Sequence, residues 1–275
     1  AYDSYVNIPE LTLKFDPVVG AISLNSGADI SLLPGTTTPV FATGTVTDFN
    51  GVADLAFATS TIYRSGVLGG AACTPDNNDC YVSSCEFVSC SGSSCEVQCR
   101  ADIFFHADPT DADAFEGQEW LAFVEVEDQS EGYDFGSAPG VELSTLRAID
   151  VVGAIDYGAL EVNANTGSFN ASTSIFNFGN VEADIEITGT DLSDGASSII
   201  PAEQQKFATT TFNYSGCVGC ALLSDSAPVE LDIDLSKPAV DTPPVTDEVY
   251  WGIEIPFGVN SVPHQGINVF TPISP

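Results

Sequence analysis

The feature that most constrains the fold of this chain is a two-residue alternation of apolar and acidic side chains. It is clearest in residues 181–187, where the apolar members are Val181, Ala183, Ile185 and Ile187 and the acidic members are Glu182, Asp184 and Glu186. Residues 229–235 and 249–255 have the same period. Successive side chains of a strand point to opposite faces, so each segment has one dry and one wet face. Because helical periodicity is almost absent, the sequence predicts an all-β fold of packed sheets.

The alternation also predicts the domain organisation. In the first half, strands are expected at residues 11–15, 40–47, 54–63, 103–106, 120–126 and 141–149. After a break near residues 148–153 the pattern restarts at 155–162. We therefore expect an N-terminal strand (1–15) and two tandem immunoglobulin-like β-sandwiches, 16–148 and 149–275. A single large sandwich or a jelly roll is the alternative.

Eight cysteines indicate an oxidised, secreted protein. Six of them lie between Cys73 and Cys99 without a C-x-x-C pair or a histidine, so a disulfide framework is favoured over a zinc site. Residues 85–99 predict two short strands around a Ser-Gly-Ser-Ser turn, within a stapled hairpin insertion at 73–99. The pairing that fits this hairpin, together with the tight turn near residue 218, is Cys73–Cys80, Cys85–Cys99, Cys90–Cys95 and Cys217–Cys220.

The charge balance excludes some partners and favours others. The chain has 39 acidic and 6 basic residues, with a formal net charge of −33. Such a surface repels nucleic acids and anionic lipid headgroups and attracts Ca²⁺. No run of apolar residues is long enough to span a bilayer, and Ala1 resembles the start of a mature secreted chain. Adaptation to high salt would explain the same imbalance.

Several segments carry a resemblance to a known class of proteins. Residues 41–55 (FATGTVTDFNGVADL) with 62–65 (IYRS) resemble immunoglobulin-like modules of bacterial and archaeal surface proteins. Residues 177–191 resemble the second strand pair of another such module, and residues 249–258 and 266–273 resemble the last strands of secreted prokaryotic proteins. The resemblance implies a surface or pilin-like filament role and implies no catalytic residue.

Two acidic loops are candidate sites for structural Ca²⁺. The first places oxygen ligands at Asp48, Asn50 and Asp54 around a glycine turn, although it lacks the distal glutamate of an EF-hand loop. A simple Asn-Gly turn is the alternative. The second loop offers the four carboxylates of Asp108, Asp111, Asp113 and Glu116. The acidic members of residues 181–187 and 229–235 are expected on a solvated sheet face.

Catalytic motifs are missing from the sequence. It contains two histidines, no G-x-S-x-G elbow and no glycine-rich phosphate loop before a helix, so we do not expect an enzyme. A secreted hydrolase is a minor alternative. Asn170 and Asn213 begin N-x-S sequons and are candidate glycosylation sites.

The N-terminal segment carries the assembly hypothesis. Its alternating apolar residues, Val6, Ile8, Leu11, Leu13 and Phe15, resemble an edge strand that inserts into a neighbouring subunit. The alternative is the first strand of its own sandwich. We expect a structural subunit of an extracellular filament or surface assembly, in which copies join by strand exchange or sheet-edge pairing. A cell-surface adhesin or glycan-binding module, using aromatics such as Trp120 and Tyr133, is the second hypothesis.

Overall fold

The computed structural model describes residues 13–275, apart from the side chain of Asp113. Within these residues the chain is all-β, and its helices are 3-10 turns of three residues each: Asn25–Gly27, Gly70–Ala72, Asp113–Phe115, Ala202–Gln204 and Tyr214–Gly216. The predicted all-β class is therefore confirmed. Nowhere in the described chain does a helix have the length and apolar character needed to cross a membrane.

The described chain divides into two compact units. The first contains the described residues up to Ile30, with Pro39–Ile103 and Gly117–Leu143. The second contains Ser31–Thr38, Phe104–Glu116 and Ser144–Pro275. Two short segments from the first half of the chain thus belong to the second unit. The domain limits 16–148 and 149–275 remain a prediction about independent folding.

The first unit is a single antiparallel sheet of seven strands. The strands are β1 (Val18–Leu24), β2 (Thr37–Thr47), β3 (Leu55–Arg64), β4 (Cys80–Ser91), β5 (Ser94–Phe104), β6 (Trp120–Asp128) and β7 (Tyr133–Ser137). Their order in the sheet is β1-β2-β5-β4-β3-β6-β7. The immunoglobulin-like description therefore remains a prediction for this unit, whose strands form one continuous sheet.

The two end strands of this sheet lie against each other. The Val19 N–H donates to the Asp134 carboxylate at 2.8 Å. A Cβ on Gly136 would lie 2.9 Å from Val19 Cγ1 and 3.0 Å from Ile22 Cγ1, so β1 passes β7 at a point where only glycine fits. The sheet thus curls around a core that includes Val46, Val97, Ile103 and Val124, all fully buried.

The disulfide-rich hairpin lies in the middle of this sheet. β4 pairs with β3 and β5 is the neighbour of β2, so the stapled hairpin that the sequence predicts supplies two central strands of the sheet. The disulfides are Cys73–Cys80, Cys85–Cys99 and Cys90–Cys95, with Cys217–Cys220 in the second unit. These are the pairs proposed from the sequence.

The second unit is a two-layer sandwich. Its strands are β8 (Ile149–Val152), β9 (Ala171–Asn177), β10 (Ala183–Gly189), β13 (Gln205–Ala208), β14 (Ala221–Leu222), β15 (Val229–Leu235), β16 (Val245–Ile253) and β17 (Asn268–Ile273). The larger sheet has the order β14-β13-β16-β9-β8, and the smaller sheet has the order β15-β10-β17. A separate two-stranded sheet pairs β11 (Leu192–Ser193) with β12 (Ile199–Ile200).

The core of the second unit is made by the alternating positions of both sheets. Phe207, Val249 and Trp251 face it from the larger sheet, and Ile185 and Ile187 face it from the smaller one. The Trp251 indole N–H donates to Thr173 Oγ1 at 3.0 Å, which satisfies the polar atom of this buried ring. The inward face predicted for residues 249–253 is therefore observed.

Three segments that alternate in sequence do not form strands. Residues 13–15 and 155–162 have no strand structure, and residues 141–148 form only isolated bridges at Val141 and Leu143. Ile155 packs on the second core, whereas Leu13 and Phe15 are exposed. Alternation alone therefore does not make a strand, which also needs a partner with free hydrogen-bonding groups.

Candidate functional site

The turn between β2 and β3 places two carboxylates at one end of the first unit. The Asp48 N–H donates to the Ser93 carbonyl at 2.8 Å, which fixes the end of β2. The Gly51 N–H then donates to the Asp48 carbonyl at 3.0 Å, and the Asp54 N–H donates to the Gly51 carbonyl at 2.9 Å. Gly51 has a φ of 106°, which favours glycine. These bonds fold residues 48–54 so that the two aspartates approach each other.

The last residue of β6 contributes a third carboxylate. Asp128 is the last residue of that strand and pairs across the sheet with Leu55. One carboxylate oxygen each of Asp48, Asp54 and Asp128 lies within 4.8 Å of the other two. Asp48 is 0% exposed and Asp128 is 1% exposed, whereas Asp54 is half-buried. We call these three residues the aspartate triad.

Each buried carboxylate of the aspartate triad uses only one of its oxygens in the local turn. Asp48 Oδ1 accepts from the Asn50 N–H at 2.7 Å. Asp128 Oδ1 accepts from the N–H groups of Ser130 at 2.7 Å and Gly132 at 2.9 Å. The second oxygen, Oδ2, of both residues is buried and has no hydrogen-bond partner. Burial raises the pKa of Asp48, and the neighbouring negative charges of Asp54 and Asp128 raise it further, against the lowering effect of backbone N–H donors.

Asn50, predicted as a ligand in this loop, has a different contact. Its Nδ2 donates to the Leu13 carbonyl at 2.8 Å, and its Oδ1 accepts from the Phe15 N–H at 2.8 Å. The amide therefore holds residues 13–15 as an adjacent strand would, and the Phe15 and Phe49 rings meet edge to face. Residues 13–15 are thus attached to the same turn that carries two of the triad aspartates.

Asp16 follows this attached segment. Its Oδ1, together with Asp128 Oδ2, lies against the position that a Cβ on Gly132 would take. A side chain at residue 132 would therefore collide with both carboxylates. Asp16 is exposed and is placed next to the aspartate triad.

The second predicted cation loop does not bring its described carboxylates together. Asp108 is 4% exposed and pairs with Lys237 at 3.0 Å, while Asp111 accepts from the Thr145 N–H and hydroxyl at 2.9 and 2.7 Å. Glu116 is exposed, and the side chain of Asp113 lies outside the described part of the structure. Lys237 and Thr145 thus contact two of the carboxylates of this loop, and Ca²⁺ binding there remains a prediction.

The predicted solvated face of the second unit is interrupted at Asp184. This residue is 4% exposed, and its Oδ1 accepts from the N–H groups of Ile233 at 3.0 Å and Asp234 at 2.9 Å. The register between β10 and β15 shifts at this point, so the carboxylate satisfies backbone donors that the ladder leaves free. Asp232 and Asp234 approach it from the exposed side, and the charge of Asp234 raises the pKa of Asp232.

A long open groove is present in the second unit. It has a volume of about 1060 Å³ and lies beside β17, with Ile155, Leu160, Val162, Val259 and Phe270 among its lining residues. β17 pairs with β10 on one side and is, with β15, one of the two edge strands of its sheet. The Tyr157 hydroxyl donates to Gln205 Oε1 at 2.9 Å at the groove, and burial raises the pKa of this tyrosine.

The remaining predicted residues have varied positions. Leu13 and Phe15 are 60% and 47% exposed, and Val6, Ile8 and Leu11 lie outside the described residues. Asn213 is exposed. Asn170 is half-buried, and its Oδ1 accepts from the Phe212 N–H at 2.9 Å. Glycosylation at both sequons remains a prediction.

Of the aromatics assigned to glycan binding, only Tyr133 is available. Trp120 is fully buried and packs on Tyr81, so its predicted role in an exposed loop is wrong: β6 begins at this residue and turns it into the core. Tyr133 is 63% exposed and lies on β7 near Phe135, which is 55% exposed.

Asp128 and Asp16 are not among the site residues that the sequence predicts. Asp128 is 74 residues from Asp54 along the chain, and only the pairing of β3 with β6 brings them together. A local signal was nevertheless present, because Asp128 begins an acidic turn, DQSEG, directly after a clear strand. Like the 48–54 turn, it combines acidic residues with a glycine.

Comparison with known proteins adds little. No protein-family model matches the chain, and no curated protein matches it. Among solved structures, it is similar to one from a study of a chaperone–tip adhesin complex in CFA/I fimbriae biogenesis, at 9% identity and a TM-score of 0.30, over 92% of this chain and 84% of that one. Nothing below depends on this likeness, because the TM-score is low.

Proposed function

We propose that this protein is a non-catalytic structural subunit of an extracellular assembly, in which the N-terminal segment of one copy adds to the edge of β17 in the next. The observation that carries the proposal is the free edge of β17 beside the groove. Soluble proteins normally cover or charge such an edge, since it is a template for another strand. Here apolar side chains line the space beside it.

The proposed donor has the alternating pattern that an open sheet edge accepts. Residues 4–12 include Val6, Ile8 and Leu11, which alternate with polar residues apart from a Pro9-Glu10 interruption, while residues 13–15 stay on the Asn50 amide of their own copy. Added to a sheet, a strand of this kind hydrogen-bonds through its backbone and places alternate side chains in the groove. Because donor and acceptor are different surfaces of the subunit, the contact is heterologous and propagates from copy to copy.

The disulfides support the proposal that the protein folds in an oxidising compartment. Four disulfides and no free cysteine among the described residues fit a protein that folds in an oxidising environment, such as the periplasm or the cell exterior. Three of them brace the first unit around its central hairpin. Such bracing suits a subunit that has to survive outside the cell.

A pair of single substitutions tests the proposed assembly. Ile8→Asp puts a charge on a side chain that should enter the groove, whereas Asn7→Asp puts the same charge on the neighbouring position, which should face water. Burial of one Ile contributes about 2–3 kcal/mol, so Ile8→Asp should weaken subunit association by roughly 50-fold or more. Sedimentation and negative-stain microscopy of the full-length protein measure this.

The control decides the interpretation. Asn7→Asp should assemble as the unmodified protein does. If the unmodified protein remains monomeric at high concentration, or if Ile8→Asp and Asn7→Asp assemble equally well, strand addition through this segment is wrong.

A glycan-binding module is the second candidate, and one observation favours it. Gln205 is 3% exposed and its Nε2 has no hydrogen-bond partner, at a groove of a size that small ligands occupy. A ligand hydroxyl would satisfy that donor. Binding of a monomeric preparation to a glycan array, lost in Gln205→Leu, would support this function over assembly.

A further inference from the structure

We propose that Asp48, Asp54 and Asp128 bind one Ca²⁺ at the end of the first unit. Asp16 lies beside this site, and the bound ion offsets the combined negative charge and so holds residues 13–16 against the 48–54 turn. This inference is independent of whether the subunits assemble, since it concerns a site within one copy.

The fold concentrates negative charge at the aspartate triad. Three carboxylates converge, and two of them are almost fully buried. In the part of the chain that the structure describes, no Lys or Arg forms an ion pair with any of the three. Buried charges are ordinarily paired or bound to a metal, because desolvation without compensation is costly. The described part of the protein therefore supplies no positively charged partner for the aspartate triad.

The second step is the unpartnered oxygens. Asp48 Oδ2 and Asp128 Oδ2 are buried and accept no hydrogen bond, while the Oδ1 atoms of the same residues are engaged with turn N–H groups. Buried polar atoms in folded proteins nearly always have a partner. The turns orient each carboxylate through one oxygen and leave the other available. This is how a preformed ligand site is held in place.

The third step is the choice of ion. The donors are all carboxylate oxygens, with no sulfur or imidazole, which selects hard cations. Two oxygens bound to one Ca²⁺ at about 2.4 Å lie at most about 4.8 Å apart, and the three oxygens meet this limit. Mg²⁺ has shorter bonds and retains most of its water, so Ca²⁺ fits better. Water molecules would complete the six to eight ligands on the side of half-buried Asp54.

The fourth step links the ion to the N-terminal segment. Asp16 Oδ1 and Asp128 Oδ2 lie against the same face of Gly132, so Asp16 adds a further negative charge next to an ion bound by Asp128. Asn50 lies in the turn between Asp48 and Asp54 and binds the backbone on both sides of Lys14. Without the ion, repulsion among the carboxylates pushes Asp16 and the turn apart. With it, residues 13–16 are fixed at both ends.

Calorimetric titration with CaCl₂ and thermal unfolding test the site in the full-length, chelator-treated protein. At a free Ca²⁺ concentration of about 100 times Kd, the melting temperature of the first unit should rise by roughly 5–10 °C. Asp128→Asn and Asp54→Asn should each weaken Ca²⁺ binding at least tenfold. Asp54→Asn is included because Asp54 is half-buried, so the variant should fold even if Asp128→Asn does not.

Asp232→Asn is the matched control, because it makes the same change in the other group of three aspartates. It should keep the full thermal response. NaCl at equal ionic strength should not reproduce the effect, which separates a specific site from general screening of the −33 charge. An unmodified protein that shows no response to Ca²⁺, or an Asp54→Asn variant with an undiminished response, would overturn the proposal.

Limited proteolysis tests the link to the N-terminal segment separately. Lys14 is exposed and is held on either side by Asn50. Trypsin cleavage after Lys14, followed by intact mass, should slow at least tenfold when Ca²⁺ is added. Cleavage after Arg100, an exposed residue in the same unit, should not change. Equal rates at Lys14 with and without Ca²⁺ would show that the ion does not hold this segment.

Discussion

Replacing Asn177 should destabilise the second unit more than any ordinary surface substitution. Asn177 is the last residue of β9 and is 0% exposed. Its Nδ2 donates to the carbonyls of Val181 at 2.9 Å, Ser236 at 3.0 Å and Leu235 at 3.3 Å. Its Oδ1 accepts from the Gly179 N–H at 2.9 Å. One side chain thus joins the end of a strand in the larger sheet to the end of β15 in the smaller one.

The magnitude follows from the groups that an alanine would leave without a partner. Each buried backbone group that loses its hydrogen bond costs about 1–3 kcal/mol, and the 3.3 Å bond is the weakest of the four. Some of the carbonyls can shift toward water, so we expect a loss of about 3–4 kcal/mol for Asn177→Ala. Asn213→Ala is the control, since Asn213 is exposed and water can replace its contacts. It should cost less than about 1 kcal/mol.

The assay uses the two tryptophans of the chain. Trp251 is in the second unit and Trp120 is in the first, so a Trp120→Phe background leaves fluorescence that reports on the second unit. Urea unfolding of Asn177→Ala and Asn213→Ala in this background gives both free-energy changes directly. A loss below about 1 kcal/mol for Asn177→Ala would show that the four bonds do not connect the two sheets energetically.

Two further predictions concern the disulfides and a buried phenol. Replacing Cys85 and Cys99 by alanine should lower the free energy of unfolding of the first unit by about 3 kcal/mol. Replacing Cys217 and Cys220, which close a much shorter loop, should lower that of the second unit by about 2 kcal/mol. Calorimetry with each pair replaced tests the difference, and equal or reversed effects would contradict it. Burial raises the pKa of Tyr214 to about 12 from 10.0, so the folded state favours the neutral phenol. The stability that depends on this neutral phenol is fully present below about pH 10 and is lost as the pH rises toward 12. The free energy of unfolding should fall by on the order of 2 kcal/mol across this range. Unfolding measured across this range should show the loss in the unmodified protein and a smaller one in Tyr214→Phe.

Much of the local structure was predictable because it depends on neighbours in the sequence. The segments 229–235 and 249–253 alternate without interruption, and both are strands with the expected inward faces. The four disulfide pairs follow from short spacings around one hairpin and one turn. The approach of Asp48 to Asp54 was also visible, because a glycine turn separates them.

The candidate site was only partly predictable, since its members come from distant segments. Asp128 lies near Asp48 and Asp54 because β3 pairs with β6. The Asn50 side chain instead hydrogen-bonds to the backbone of residues 13–15. Asp108 had the right composition for a cation loop, but Lys237, 129 residues later, neutralises it. Composition identifies which groups need a counter-charge, and only the tertiary structure decides which group supplies it.

By itself, the sequence determined the all-β class and the side-chain face of its clearest strands, because alternation and turn residues act over two to seven positions. The tertiary structure alone decided that the stapled hairpin lies at the centre of its sheet, that β17 keeps an open edge beside a groove, and that three distant aspartates share one buried point. Strand order depends on which edges meet after the chain has turned back on itself. That choice is made by the packing of whole sheets and leaves no short-range signal.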